Sequence, residues 1–281
     1  MKRDKIINID DFPTLPTIYT QLMEIMSSSR TTIENVAEII EKDQASSIKI
    51  LKTVNSSVYG INKKIGSIKD AIFYLGFQEV KNLVFSLTMI NLFKNKKKLS
   101  FFNLVEYWKH SIAVGVITRL LGKIIGEKKL DNYFISGIIH DIGKLYFVYY
   151  MQDEYSMVIE NIRNDENYII DTERLLMDTD HCQIGWEIAK KWDLPNSLSN
   201  SILYHYDGSV NGNSDTLVSC VHLADIIARA MDLGNPGDIY VHRPNPSIWD
   251  TLNISPKEIL ALEQPIMEQY SDSISILLVN K

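Results

Sequence analysis

The sequence predicts an all-α fold. Apolar residues recur at helical spacing through most of the 281 residues, the breaks between these segments carry helix caps, and strand-like alternation is scarce. With 45% hydrophobic residues the chain can bury a substantial core. About a dozen helices account for its length.

In chain order, Pro13 and Pro16 set up a helix in TLPTIYTQLMEIM that carries Leu15, Ile18, Leu22 and Ile25 on one face. Thr31 and Glu34 form a capping-box pattern for a second helix, with Ile33, Val36, Ala37 and Ile40 turned inward. A third, SSIKILKTVN, ends at Asn55-Ser56. Ser67 with Asp70 starts SIKDAIFYLG, and Gly76 closes it before the longer FQEVKNLVFSLTMINLF. Further helical segments run from about Phe102 to Ile125, into His140, from near Asp180 to just before Pro195, and through SLSNSILYH and TLVSCVHLADIIARAM. Residues 233 to 256, rich in Gly, Pro and Asn, read as one extended loop before a final helical tail.

A net charge of -6 argues against broad attraction to nucleic acid or anionic lipid. The one basic run, Lys94 to Lys98, falls between two apolar segments and reads as a solvated interhelical loop. Cys182 and Cys220 are far apart, make no zinc motif and fit a reducing cytosol. The N-terminus has no apolar core of a signal peptide, and no apolar run approaches the roughly 20 residues that span a bilayer. The expectation is a soluble, cytoplasmic protein without membrane partners.

The stretch GIIHDIGKLYF, residues 137 to 147, sets His140 and Asp141 side by side at the end of an apolar run. A helix ending explains them as punctuation, since Gly closes helices and Lys suits the negative end of the dipole. For any single histidine a satisfied structural role is the commoner explanation, and it is the other positions taken together that strengthen a ligand role. Glu106 and His110 are four apart and head a stripe through Ala113, Ile117, Leu121 and Ile124, whereas Lys109, Arg119 and Lys123 point elsewhere. A buried Glu and His cost desolvation energy unless satisfied, and one cation satisfies both. His181 begins a helix on its core side, His205 ends one, and Asp225 sits within the otherwise apolar VHLADIIARA. His222 is assigned to a helix surface and His242 to the Pro-rich loop, so both are set aside.

Glu106, His110, His140, Asp141, His181, His205 and Asp225 offer imidazoles and carboxylates with no thiolate. That set suits one or two divalent transition-metal ions in a site open to water, Fe or Mn by preference, then Zn or Ni, with Mg less suited. Asp141 is the carboxylate that can bridge two ions, which hold a phosphoryl oxygen and ionise a water. Lys144, one turn on, either neutralises charge on a phosphate or serves as a helix-end cation.

The pattern of His110, the His140-Asp141 pair and Asp225 resembles the HD superfamily of metal-dependent phosphohydrolases. LPTIYTQLMEIM, the stretch IEKDQASSIKILKTVNSSVYG and SIKDAIFYLG further resemble the HDOD family of bacterial signalling modules, over roughly residues 12 to 206. The resemblance implies a multi-helical HDOD-like domain over 12–232, with an N-terminal part 12–100 and a metal-site part 101–232, followed by the loop and tail 233–281. It also implies a regulatory role. In the related HD-GYP phosphodiesterases, a Glu one turn before the first His, further histidines and a Lys after the His-Asp pair correspond to Glu106, His181, His205 and Lys144. Two departures stand out: Tyr206 follows His205 where that group has a second histidine, so one metal is held weakly or meets a phenol instead, and the Gly-Tyr-Pro signature is missing.

Two functional expectations follow. In the first, a metal-binding signalling module acts on a partner protein or a small nucleotide ligand. In the second, a phosphohydrolase acts on a nucleotide or cyclic nucleotide, with Asp141 and Lys144 in the catalytic machinery. DNA binding is disfavoured, because the second helix of TIENVAEIIEKDQASSIKILKTV offers just Lys49 and Lys52 as cations.

Overall fold

A computed structural model describes residues 7–278 except 29, 57, 58, 95–98, 129, 131, 166, 167 and 239. The basic run therefore lies outside the described residues, apart from the backbone of Lys94. Among the described residues there are fifteen α-helices and no strand, only an isolated bridge between Val210 and Asn213. The all-α expectation holds. Among the described residues no helix is long and apolar enough to cross a membrane.

The first part comprises α1 (Thr17–Met26), α2 (Ile33–Glu41), α3 (Gln44–Val54) and α4 (Ile68–Lys94). The cap of α2 is Thr32 with Asn35 rather than Thr31 with Glu34, one residue later than the pattern suggests. Gly76 interrupts α4 with a φ of 80°, the break expected there. Helix α5 (Leu104–Ile124), begun by the Asn103 side chain, is buried from Tyr107 to Gly122 except at Lys109 and Arg119. It packs against α6 (Tyr133–Ile139) and α12 (Thr216–Ala230). Arg119 joins α5 to α4 through Glu79, at 2.6 Å.

Between these lie α7 (Ile142–Tyr150), α8 (Gln152–Asp165), α9 (Ile169–Met177), α10 (His181–Lys191) and α11 (Asn196–Tyr204). The helix ends at His140 as expected, but a new one begins at once, so that His140 and Asp141 form the junction between α6 and α7. Gly143 is required there, since any Cβ would collide with the His181 carbonyl where α7 crosses α10. At the far end of α10, Lys191 Nζ donates to three carbonyls of the N-terminal segment, Ile9, Asp10 and Phe12, and clamps it to the domain.

The stretch 233–256, expected as one loop, contains α13 (Ser247–Leu252), whose Ile248 and Leu252 are buried four residues apart. Helices α14 (Pro256–Leu260) and α15 (Glu263–Leu277) follow, and α15 packs on both α5 and α3.

Candidate metal centre

Five stretches of helix converge on one buried point. His110 comes from α5, His140 and Asp141 from the α6–α7 junction, His181 from the start of α10, His205 from the end of α11 and Asp225 from α12. None of these six is more than 2% exposed. Asp180, accepting from the Gln183 N–H at 2.8 Å as N-cap of α10, fixes the position from which His181 projects.

Asp141 is at the middle. Its Oδ2 lies 3.4 Å from His140 Nε2, and its Oδ1 lies 3.3 Å from His181 Nε2 and 3.5 Å from His205 Nε2. Asp225 Oδ1 is 2.8 Å from His110 Nε2 and 3.8 Å from His140 Nε2. Three of the imidazoles are oriented from behind: Nδ1 of His140 donates to the Gly137 carbonyl at 2.7 Å, that of His205 to the Ile202 carbonyl at 2.8 Å and that of His181 to Glu173 at 2.5 Å. This is how metal-ligating histidines are held, with Nε2 turned inward. His140 Nε2 and Asp141 Oδ1 are buried without a hydrogen-bond partner. The donor set fits a divalent transition metal.

Charge points the same way. Asp141, Asp225, Asp238 and Glu173 are buried, against two cationic side chains, Lys144 and Arg229. Four carboxylates facing two fixed cations leave two negative charges for protonated imidazoles or a metal to balance. Burial alone raises the Asp141 pKa, but Lys144 at 2.7 Å and His140 hold it well below the usual carboxylate range. Burial likewise opposes the charge on Asp225, yet Arg229 and His110 keep it ionised. Burial pushes His110 down to about 4. It also disfavours the charged forms of His205 and His181, but Cys182 and Asp141 push His205 up to about 10 and Glu173 raises His181.

Six of the seven proposed ligands meet here. Glu106 does not: its carboxylate forms a half-exposed pair with Lys109 at 2.8 Å. At the same turn Gly234, at a φ of 79°, brings the chain across α5 so closely that a Cβ would strike the backbone of Glu106 and His110. Asn235 N–H then donates to the Glu106 carbonyl at 3.1 Å. Lys109 therefore shares a face with Glu106 rather than pointing away from it. Lys144 is wholly buried and paired with Asp141, not a free helix-end cation.

Other residues enter that the sequence reading leaves aside. Glu173 anchors His181, and Arg229 Nε grips both oxygens of Asp225 at 2.9 and 3.0 Å while its guanidinium also bonds Asp238. The Asp225–Arg229 spacing of four is a helix-pair signal, and Glu173 lies on the buried face of α9, but Asp238 sits in a loop without any such signal. The Cys182 thiol also joins, in a group with His181 and His205. His222, expected at a surface, is buried, donates from Nδ1 to the His205 carbonyl at 2.8 Å and accepts at Nε2 from Asn245 N–H at 3.0 Å. His242 is buried too and stacks on Tyr206 with centroids 4.8 Å apart, and both rings line the small cavity that His181, His205 and Asp225 also line. The cavity beneath that stack holds about 10 Å³, scarcely one water, where the sequence suggests an open site.

The class is thus a helical domain whose buried histidine and aspartate groups can hold a metal. Residues 12–208 match the HDOD domain, and the chain belongs to the HDOD family. An HDOD domain protein of unknown function from Geobacter sulfurreducens is similar over 95% of this chain and 94% of its own, with 25% identity and a TM-score of 0.79. The same fold recurs, at 22% identity and a TM-score of 0.72, in a candidate phosphohydrolase from Shewanella amazonensis SB2B, covering 94% of this chain and 96% of that one. It recurs again in a candidate signal-transduction protein from Marinobacter aquaeolei VT8, at 16% identity and a TM-score of 0.73, over 94% of this chain and 59% of that one. An uncharacterised protein of Treponema pallidum is 25% identical over 81% of this chain, and the chain spans less than half the length of the curated relatives it matches.

Proposed function

We propose that this chain is a bacterial signal-transduction protein in which one or two divalent transition-metal ions, held by His110, His140, Asp141, His181, His205 and Asp225, set the conformation that a partner protein or small nucleotide ligand reads. The observation that carries the metal is the pair of unpartnered buried atoms, His140 Nε2 and Asp141 Oδ1, facing imidazoles already oriented for coordination. The regulatory half rests on the HDOD membership and on the closed cover of Tyr206 and His242.

A second reading, hydrolysis of a nucleotide or cyclic-nucleotide phosphodiester, draws on Asp141, whose two oxygens face different histidines. When bound, the ions would polarise a phosphoryl oxygen and lower the pKa of a water. Asp141 would hold and orient Lys144, the buried cation nearest the reacting phosphate, and the Tyr206–His242 stack would exclude water once substrate is seated.

Elemental analysis of the purified protein beside His140→Ala and Asp141→Ala tests the first reading. One or two equivalents in the parent and little in the variants support it; no metal after reconstitution sinks it. A turnover screen over nucleotides and generic phosphodiesters with Mn or Fe then separates the two: activity lost in Asp141→Ala selects the enzyme, and silence with every metal selects the signalling module.

A further inference from the structure

A pocket of about 370 Å³ lies beside the metal centre, where the start of α5, the end of α8 and the segment after α12 meet. Asp238 and Tyr240 line it and also line the small cavity over the histidines, so the two spaces share a wall. Its volume falls in the range of small-molecule sites, roughly 300–1,000 Å³, whereas the neighbouring cavity of about 10 Å³ admits no organic ligand.

The lining combines apolar surface with donors that have nothing to donate to. Phe101, Phe102, Tyr240 and Ile162 supply three rings and an aliphatic side chain. Both carboxylates on the wall are already matched, Glu106 with Lys109 at 2.8 Å and Asp238 with the Arg229 guanidinium. The amide oxygens are also in use: Asn103 Oδ1 accepts from the Val105 and Glu106 N–H groups at 3.1 and 3.4 Å, and Asn235 Oδ1 accepts from the Gly237 N–H at 2.8 Å. What remains is the NH2 group of each asparagine and the Arg163 guanidinium, which has no ion-pair partner among the described residues. Unmatched donors beside aromatic rings complement a ligand with a planar ring system and an anionic, acceptor-rich group. The wider groove between α3 and α15 makes the contrast: it collects Lys52, Lys63 and Lys64 but no aromatic ring, so it offers charge without a surface on which a base can stack.

We propose that the pocket beside the centre binds a nucleotide, with the base against Phe101, Phe102 and Tyr240 and a phosphate on Arg163 and the two asparagine amides. The inference rests on the nucleotide-ligand half of the reading above and deepens it, because it seats the ligand outside the metal centre. An occupant adjoins the centre through Asp238, whose carboxylate shares Arg229 with Asp225.

The test is isothermal titration calorimetry of the full chain, stripped with chelator, against purine and pyrimidine nucleoside mono-, di- and triphosphates and cyclic nucleotides. Metal content is measured before and after stripping. The expected result is one equivalent of nucleotide bound without metal, weakened in Tyr240→Ala and weakened roughly 10–100-fold in Arg163→Glu, the scale of a lost charge-assisted hydrogen bond. Arg163 is exposed near the end of α8, so its replacement leaves the core untouched. Lys63→Glu, the same charge change in the other groove, leaves binding unaltered. An equal loss in Arg163→Glu and Lys63→Glu overturns the pocket in favour of diffuse attraction. Binding that needs restored metal and disappears in His140→Ala overturns the pocket and keeps the nucleotide reading, with the ligand at the centre. No binding by any member of the panel overturns the pocket and the nucleotide half together, while the metal content of the unstripped protein still decides the metal half.

Discussion

The two sides of Asp141 are built differently. On one side His181 and His205 have their outer nitrogens fixed by Glu173 and the Ile202 carbonyl, and both face a free oxygen of Asp141. On the other, His110 leaves Nδ1 without a partner, its Nε2 is taken up by Asp225, Arg229 already grips Asp225, and Lys144 occupies the remaining Asp141 oxygen. A ligand set is therefore defined less by residue types than by which lone pairs stay free. The first side can accept a cation with little rearrangement, whereas the second must first give up ion pairs that compensate buried charge.

The largest effect belongs to the residue both sides share. Asp141→Ala removes the central carboxylate and strands Lys144, fully buried, without its partner. Breaking a buried pair in this way costs about 3–5 kcal/mol. A thermal melt should show that loss together with the absence of metal. Adding Lys144→Met restores most of the stability and none of the metal; recovery of both would mean that Asp141 is not a ligand.

Next come the variants that set one side against the other. Glu173→Gln weakens the anchor of His181 and lowers affinity for the tighter equivalent by roughly 10–100-fold. His110→Ala leaves that equivalent in place and affects only the weaker one. Equilibrium dialysis against Zn reads both, and the reverse order of effects would invert the comparison.

A smaller effect is read in pH. In the metal-free protein His205 is raised to about 10, burial being outweighed by Cys182 and Asp141, and His181 is raised as well. For His205, the stabilisation is complete below its unfolded pKa of about 6.5 and is lost as pH climbs through the folded value near 10. Metal must displace these protons, so apparent metal affinity rises with pH across the same range. Calorimetric titrations in two buffers of different ionisation enthalpy should report net proton release. Uptake, or no change, would place the tight ion away from His181 and His205.

What the sequence makes legible, and what it hides, divides along physical lines. His110, His140, Asp141, His181, His205 and Asp225 stand out because polar groups in apolar helical runs need compensation, and a helical pattern shows where they face. Cys182 escapes because cysteines are judged by their spacing from other cysteines, while its partners are histidines brought in by α10 and α11. Glu173, Asp238 and His242 depend on how α9 and the loop after α12 fold back over the centre, which no local periodicity encodes. Helix α13 is masked by Pro and Asn on its flanks, although Ile248 and Leu252 keep helical spacing.

Glu106 gives the smallest effect and the sharpest test of that division. By spacing alone it is a partner of His110, one turn away on the same helix. The chain at Gly234 and Asn235 crosses α5 at that turn, and the carboxylate turns out to Lys109. A half-exposed pair of this kind, still screened by solvent, contributes about 0–1 kcal/mol. Glu106→Gln should therefore leave metal content unchanged and the melting temperature nearly so, in contrast to every residue that faces Asp141. A fall in metal content would show that the helical spacing is the better guide and that the Gly234 crossing opens when the ion binds.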